Sequence, residues 1–203
     1  MTTFSVQLIV AFALLSSSAI AAPPDRSTCP SISSANYYFA EKSFGEKDRF
    51  VRGWYSKHLR AMREPSLSCG TTAHVYRFTW LRTFHHPVAV RITANDSGAS
   101  LVAVELNGAG GYEPGTELRR KETSIAPSEL KKVQRALVDA GFSSLTATED
   151  NSGFDGSEWI IEVLDNDQYH VISRWSPQTG VVHEIGLRFL KLAGWQFKPN
   201  ETY

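Results

Sequence analysis

The stretch YRFTW, from Tyr76 to Trp80, places an aromatic side chain at every second position, with Arg77 and Thr79 between them. The alternation recurs from Val88 to Ile92 and from Val102 to Leu106. A two-residue period predicts β-strands with one face toward a core and one toward solvent. Neighbouring strands of this kind predict an antiparallel sheet.

Three later segments extend the predicted sheet. Glu117 to Thr123 has weak apolar content, which indicates an edge strand. Glu158 to Leu164 and Gln168 to Trp175 are rich in β-branched and aromatic residues and predict a hairpin. A three-residue loop, Asp165-Asn166-Asp167, is expected to join them.

Three segments have the three- and four-residue spacing of amphipathic helices. They run from about Lys47 to Arg63, from Pro127 to Gly141, and from Val182 to Gly194. Proline opens the second, and glycine ends the second and third. The predicted fold class is therefore α+β, with an antiparallel sheet of five to seven strands and about three helices packed on one face or end.

The first predicted helix separates apolar from basic residues. Such a basic stripe is either the solvated face of a neutral protein or a surface for an acidic partner or anionic lipid. The overall charge balance favours the solvated face. The apolar face comprises Phe50, Val51, Trp54, Tyr55, Leu59 and Met62, and the stripe comprises Arg49, Arg52, Arg60 and Arg63.

The N-terminal segment predicts export. Residues Phe4 to Ala22 carry no charged side chain, and Ala19-Ile20-Ala21 fits the small-x-small rule for signal cleavage. The expected organisation is a signal peptide over 1–21, with an uncleaved anchor as the alternative, an extended arm over 22–46 and one α+β domain over 47–203. No later segment has the run of about 20 apolar residues that a membrane span needs. Cys29 and Cys69 are expected to form a disulfide in an oxidising compartment, with two buried free thiols as the alternative.

Composition restricts the function classes. The 203 residues contain 21 Lys and Arg against 21 Asp and Glu. Zero net charge argues against nucleic acid as a partner, because binding phosphates requires a basic footprint. The sequence has no G-x-S-x-G elbow, no H-E-x-x-H motif and no dinucleotide or P-loop spacing, so no metal or cofactor is expected.

Two polar loops are candidate contact segments. Residues 107–115 are glycine-rich and expose Tyr112 on what is expected to be a mobile hairpin loop, suited to contact with a protein partner. The segment from Glu149 to Glu158 is acidic. Its oxygen donors Asp150, Asn151, Asp155 and Glu158 could bind calcium, although their spacing departs from the EF-hand pattern.

The predicted hairpin supplies the remaining candidate residues. With a three-residue loop, Glu162 lies opposite His170 and Glu158 opposite Arg174 on one face of the sheet. A carboxylate beside an imidazole could act as a general base near neutral pH. The alternative is a surface of offsetting cross-strand charges.

Six short segments together resemble an uncharacterised group of signal-peptide-bearing proteins from Gram-negative bacteria. This resemblance implies export to the periplasm or beyond and implies no reaction. The segments are Trp54–Leu59 (WYSKHL), Glu64–Leu67 (EPSL), Tyr76–Trp80 (YRFTW), Leu106–Tyr112 (LNGAGGY), Asp155–Trp159 (DGSEW) and Arg174–Pro177 (RWSP).

The expected function is that of an exported, non-catalytic protein, periplasmic or secreted, that binds a macromolecular partner in the manner of an inhibitor or immunity protein. A periplasmic hydrolase using Glu162 and His170 is the first alternative, and a calcium-stabilised structural module is the second. The candidate binding residues are Tyr112, Glu158, Glu162, His170 and Arg174.

Overall fold

The computed structural model describes residues 37–45, 48–69, 74–95, 98–149, 153–198 and 201–203. The predicted signal peptide, most of the predicted arm and Cys29 lie outside these ranges. In chain order the elements are α1 (Asp48–Ala61), β1 (His74–Arg82), β2 (Val88–Asn95), β3 (Gly98–Leu106), β4 (Glu117–Ile125), α2 (Pro127–Asp139), β5 (Ser157–Asp165), β6 (Gln168–Trp175) and α3 (Val181–Ala193).

The six strands form one sheet in the order β4-β3-β2-β1-β5-β6. Each neighbouring pair is antiparallel. The predicted α+β class, the antiparallel sheet and the β5–β6 hairpin are confirmed, and β4 is an edge strand as its weak apolar content indicated.

The helices are divided between the two faces of the sheet, where the sequence predicted a single face or end. Helices α2 and α3 cover the face that carries Phe78, Trp80 and Trp159. Helix α1 covers the opposite face, which carries Leu81 and Ile160. Because both faces are covered, the polar positions of β1 are buried too, and neither Arg77 nor Thr79 reaches solvent.

Residues 37–45 belong to the domain and correct the prediction of an extended arm up to residue 46. Tyr38, Phe39 and Phe44 are buried against α1. The Phe44 amide donates to Asp48 at 3.1 Å. Asp48 also pairs with Arg52, whose Nε lies 2.6 Å from Oδ2, so this member of the arginine stripe is buried rather than solvated.

The turn of the β5–β6 hairpin has two residues, Asn166 and Asp167, both with positive φ (45° and 67°). The predicted three-residue loop is therefore wrong, and the register moves by one position. Side chains alternate between the two faces of a strand. A register shift of one residue therefore places former cross-strand partners on opposite faces of the sheet. Glu162 now lies opposite Val171, and Glu158 lies opposite Trp175.

Candidate binding groove

An open groove of about 1130 Å³ lies on the α1 side of the sheet. Three parts of the chain form its walls: α1, the 107–115 loop and the segment that precedes β5. Its floor includes Glu158 of β5 and Trp175 of β6, which are cross-strand neighbours. We call this feature the aromatic groove.

One flank of α1 forms the first wall. Phe50, Trp54 and Lys57 follow one another at four- and three-residue intervals and line the groove. Phe50 is 73% exposed, although the sequence assigned it to the buried face. The core side of α1 is centred instead on Tyr55, Leu59 and Met62, so the apolar arc of this helix is wider than its packing contact and extends into the groove.

The 107–115 loop forms the second wall and is held against β1 and α1. The Gly110 amide donates to the His85 carbonyl at 3.0 Å, and its carbonyl accepts from the Trp54 indole at 2.7 Å. A Cβ at Gly110 would lie 2.4 Å from the Arg82 nitrogen, so only glycine permits this close approach. These contacts correct the expectation of a mobile loop, while Tyr112 remains 58% exposed.

His58 makes a further connection between α1 and this loop. Its Nδ1 lies 3.0 Å from the Trp54 carbonyl oxygen, and its Nε2 lies 3.4 Å from the Ala109 carbonyl oxygen. Burial lowers the pKa of His58 below its ordinary value. The two carbonyl contacts oppose this fall in pKa, and the ring packs between α1 and the 107–115 loop.

The segment before β5 contributes the third wall. Phe154 is 98% exposed and lines the groove together with Gly153. Gly153 and Gly156 lie against the Trp175 indole, where a Cβ would approach ring atoms to 2.6 and 2.5 Å, respectively. The two glycines thus let the chain lie close to the tryptophan while Phe154 projects into solvent.

Glu158 on the groove floor takes part in a chain of hydrogen bonds. Ser173 donates its hydroxyl to Glu158 Oε2. The Tyr55 hydroxyl lies 3.0 Å from the Ser173 oxygen. Because Ser173 has only one hydroxyl proton, Tyr55 is the donor in that contact. Burial raises the pKa of the Glu158 carboxyl, and the hydrogen bond from Ser173 opposes the rise.

Of the five candidate binding residues, only Tyr112 and Glu158 lie in the groove. Glu162 is fully buried beneath α1, on the same face of the sheet, and accepts hydrogen bonds from Arg77 and Tyr169. Tyr169 Oη lies 2.9 Å from Glu162 Oε1. Glu162 is a structural member of the core rather than an exposed binding residue.

His170 and Arg174 lie on the other face of the sheet. His170 Nε2 lies 3.1 Å from the Leu145 carbonyl oxygen, and the ring packs on Phe142. Arg174 pairs with Glu149, with its Nε 2.8 Å from Oε1. The predicted pairs Glu162–His170 and Glu158–Arg174 are therefore wrong, because the two-residue turn places their members on opposite faces.

The calcium prediction concerns residues that are only partly described. Asp150 and Asn151 lie outside the described ranges, and Glu158 faces the groove and Ser173. Within those ranges no cluster of three or more His, Cys, Asp or Glu side chains has a metal-binding arrangement. Calcium binding by this loop stays a prediction.

The structure also assigns groove residues that the sequence interpretation missed. Phe50 was placed in the core, Trp54 packs on the core and also lines the groove, and Phe154 and Trp175 were not recognised as neighbours. The width of the apolar arc on α1 was the available signal, because Phe50 lies at one edge of an arc that is wider than a single packing contact. Nothing in the local sequence brings Phe154 and Trp175 next to that helix.

The fold and site together define an α+β protein whose six-stranded antiparallel sheet carries a groove lined by exposed aromatic side chains. No protein-family model matches the chain, and no curated protein matches it. Among the helices of the described ranges, none is both long and apolar enough to cross a membrane.

Proposed function

We propose that this protein is an exported, non-catalytic binding protein that engages a macromolecular partner through the aromatic groove. The observation that supports the proposal is the concentration of exposed aromatic side chains around one groove, with Phe50 at 73%, Tyr112 at 58% and Phe154 at 98% exposure. Aromatic side chains are enriched where binding energy is concentrated in protein interfaces.

The groove is suited to a chain-like partner. It is open to solvent, and its volume of about 1130 Å³ slightly exceeds the roughly 300–1,000 Å³ typical of small-molecule pockets. Its walls are held by specific contacts, among them the Trp54–Gly110 hydrogen bond and the ion pair between Lys57 Nζ and Glu113 Oε1 at 2.9 Å. Walls that are already ordered reduce the entropy lost when a partner binds.

The geometry does not support the hydrolase alternative. Glu162 is buried in an ion pair, and His170 lies on the opposite face of the sheet. A general base must reach the proton that it abstracts, either directly or through one water molecule. A carboxylate and an imidazole on opposite faces cannot share one substrate.

Site-specific photo-crosslinking tests the proposed function. A benzophenone amino acid is introduced at Tyr112 or at Phe154, and the cells that naturally make the protein are irradiated. We expect one defined adduct from both positions. The control position is Val138, which is 77% exposed on α2 and therefore lies on the other side of the sheet. The absence of adducts at 112 and 154, or the same adduct at 138, would contradict the proposal.

Export and the disulfide belong to the same proposal and have their own tests. N-terminal sequencing of protein from the periplasmic or culture fraction is expected to begin at Ala22, and a start at Met1 would contradict signal cleavage. Mass spectrometry of the unreduced, alkylated protein is expected to show Cys29 joined to Cys69. Alkylation of both thiols would contradict the bridge.

A further inference from the structure

The carboxylate on the floor of the aromatic groove, that of Glu158, has no counter-charge beside it among the residues that the structure describes. The lining contains Arg49, Lys57, Glu113 and Glu158. Lys57 and Glu113 pair with each other at the rim, and Arg49 is exposed on the first turn of α1. In the part of the chain that the structure describes, no Lys or Arg lies within ion-pair distance of Glu158.

An unbalanced carboxylate in a partly desolvated position is energetically unfavourable. Removing a charge from water is costly unless hydrogen bonds or an opposite charge replace the lost hydration. Here Ser173 supplies a hydrogen bond but no charge, and the Tyr55 hydroxyl donates in turn to Ser173. The fully buried carboxylate of β5, Glu162, has the Arg77 guanidinium at 2.6 Å. The two glutamates of this strand therefore differ in whether the fold itself supplies the counter-charge.

The surroundings of Glu158 are suited to a cation with an apolar stem. Trp175 is its cross-strand neighbour, and Phe154, Tyr112 and Phe50 line the same groove. Aromatic faces attract ammonium and guanidinium groups. The methylene stems of lysine and arginine pack well on apolar surfaces while the head group stays polar. A sugar ring would stack on the aromatics and its hydroxyls would form hydrogen bonds, but the carboxylate charge would stay unbalanced.

We infer that the aromatic groove recognises a protein partner by receiving one lysine or arginine side chain, whose charged head pairs with Glu158 and whose stem packs between the groove aromatics. The inference rests on the proposed function and specifies the chemistry of the partner. Charge complementarity at the floor would select the basic residue, and the ordered aromatic walls would supply contact area.

Peptide titration of the full mature chain, followed by ¹H–¹⁵N NMR, tests the inference. The probes are acetylated, amidated Ala-Lys-Ala and Ala-Arg-Ala, with Ala-Gln-Ala as the uncharged control. We expect saturable shifts at the Glu158 amide and at the Trp175 indole with the two basic probes. Binding of Ala-Gln-Ala should be at least tenfold weaker.

Two variants sharpen this test. Glu158→Gln keeps an acceptor for Ser173 but removes the charge, and it should reduce affinity for the basic probes at least tenfold. Asp139→Asn removes an exposed carboxylate of α2, on the other side of the sheet and outside the groove, and it should change affinity less than twofold. Equal binding of Lys and Gln probes, or an E158Q variant that binds like the wild-type chain, would overturn the inference.

A glycan probe and the crosslinks separate this inference from the proposed function. Shifts at the Trp175 indole with chitotriose but not with the basic peptides would overturn recognition of a cation in favour of a glycan. Crosslinks from positions 112 and 154 do not require Glu158. Adducts that persist unchanged in E158Q would thus reject the cationic contact and leave the proposed function standing, whereas missing adducts in the wild-type chain would reject the proposed function.

Discussion

Arg77 of β1 and Glu162 of β5 lie opposite each other in the sheet and form a two-pronged ion pair with no exposure to solvent. Arg77 donates from Nε and Nη2 to the two carboxylate oxygens of Glu162 at 2.7 and 2.8 Å. Glu64 lies 3.5 Å from Arg77 Nη1 and also accepts from Arg91 Nε at 2.8 Å. The face of the sheet beneath α1 is therefore partly ionic.

Breaking this ion pair from one side should be strongly destabilising. Arg77→Met leaves the Glu162 carboxylate buried without its main counter-charge, so we expect a loss of about 3–5 kcal/mol in the free energy of unfolding. Replacing both partners, Arg77→Met with Glu162→Leu, removes both charges and should recover most of the loss. Urea unfolding monitored by circular dichroism measures both values, and a double variant as unstable as the single one would contradict the assignment.

The two-residue hairpin turn should be sensitive to the shape of the side chain at Asn166. Its φ of 45° is tolerated by asparagine and glycine but is unfavourable for β-branched residues. We expect Asn166→Val to lower stability by about 1–2 kcal/mol and Asn166→Gly to change it by only a few tenths. Thermal unfolding compares the two variants, and equal melting temperatures would contradict the turn conformation.

Replacing glycine by alanine should change the free energy of unfolding in opposite directions at two positions of the groove wall. Gly53 lies inside α1, and a Cβ there would meet only Tyr37 at an ordinary 3.7 Å. Gly53→Ala should therefore stabilise the protein by about 0.5–1 kcal/mol. Gly110→Ala should destabilise it, because the Cβ would press against the backbone of β1 at Arg82. Denaturant midpoints test the pair, and two shifts of the same sign would contradict these contacts.

Glu158 should make stability depend on pH in a defined direction. Its pKa is raised in the folded protein by burial, from an ordinary value near 4.5. Between the ordinary and the raised pKa the folded state binds more protons than the unfolded state. Stability is therefore lost as pH rises through that interval, by at most about 1.4 kcal/mol for every pH unit.

Glu158→Gln removes this titration. The variant should match the wild-type chain most closely at pH 4 and exceed its stability at pH 7 to 8. Urea unfolding at a series of pH values gives the comparison, with Glu113→Gln as the control at an exposed carboxylate. A stability difference between E158Q and the wild-type chain that does not change with pH would contradict the burial of this carboxylate.

Local pattern predicted most of the fold. The alternation in YRFTW and the later strands, the periodicity of three helices and the end signals at Pro127, Gly141 and Gly194 all correspond to observed boundaries. These features depend on neighbours within a few residues, where propensity and periodicity are strongest. The prediction failed at the hairpin turn. A loop with one residue fewer changes which side chains of β5 and β6 share a face of the sheet.

The candidate site was predicted only in part. Tyr112 and Glu158, two of the five candidate binding residues, lie in the groove; the first came from an exposed loop and the second from a mistaken pairing with Arg174. Phe50 was assigned to the core because its spacing fits the apolar face of α1. Contacts with residues distant in sequence decide which part of a wide apolar arc packs on the sheet. The spacing of apolar residues along the helix carries no information about those contacts.

The sequence by itself determined the fold class, the strands and helices, and the absence of recognisable nucleophile and zinc motifs, because each depends on short-range order along the chain. Tertiary structure decided which side of each element became interior. It placed α1 on the second face, buried Arg77 with Glu162, and brought Phe50, Tyr112 and Phe154 around Glu158. Those relationships join residues up to about a hundred positions apart, and only packing of the sheet between two layers of helices brings them together.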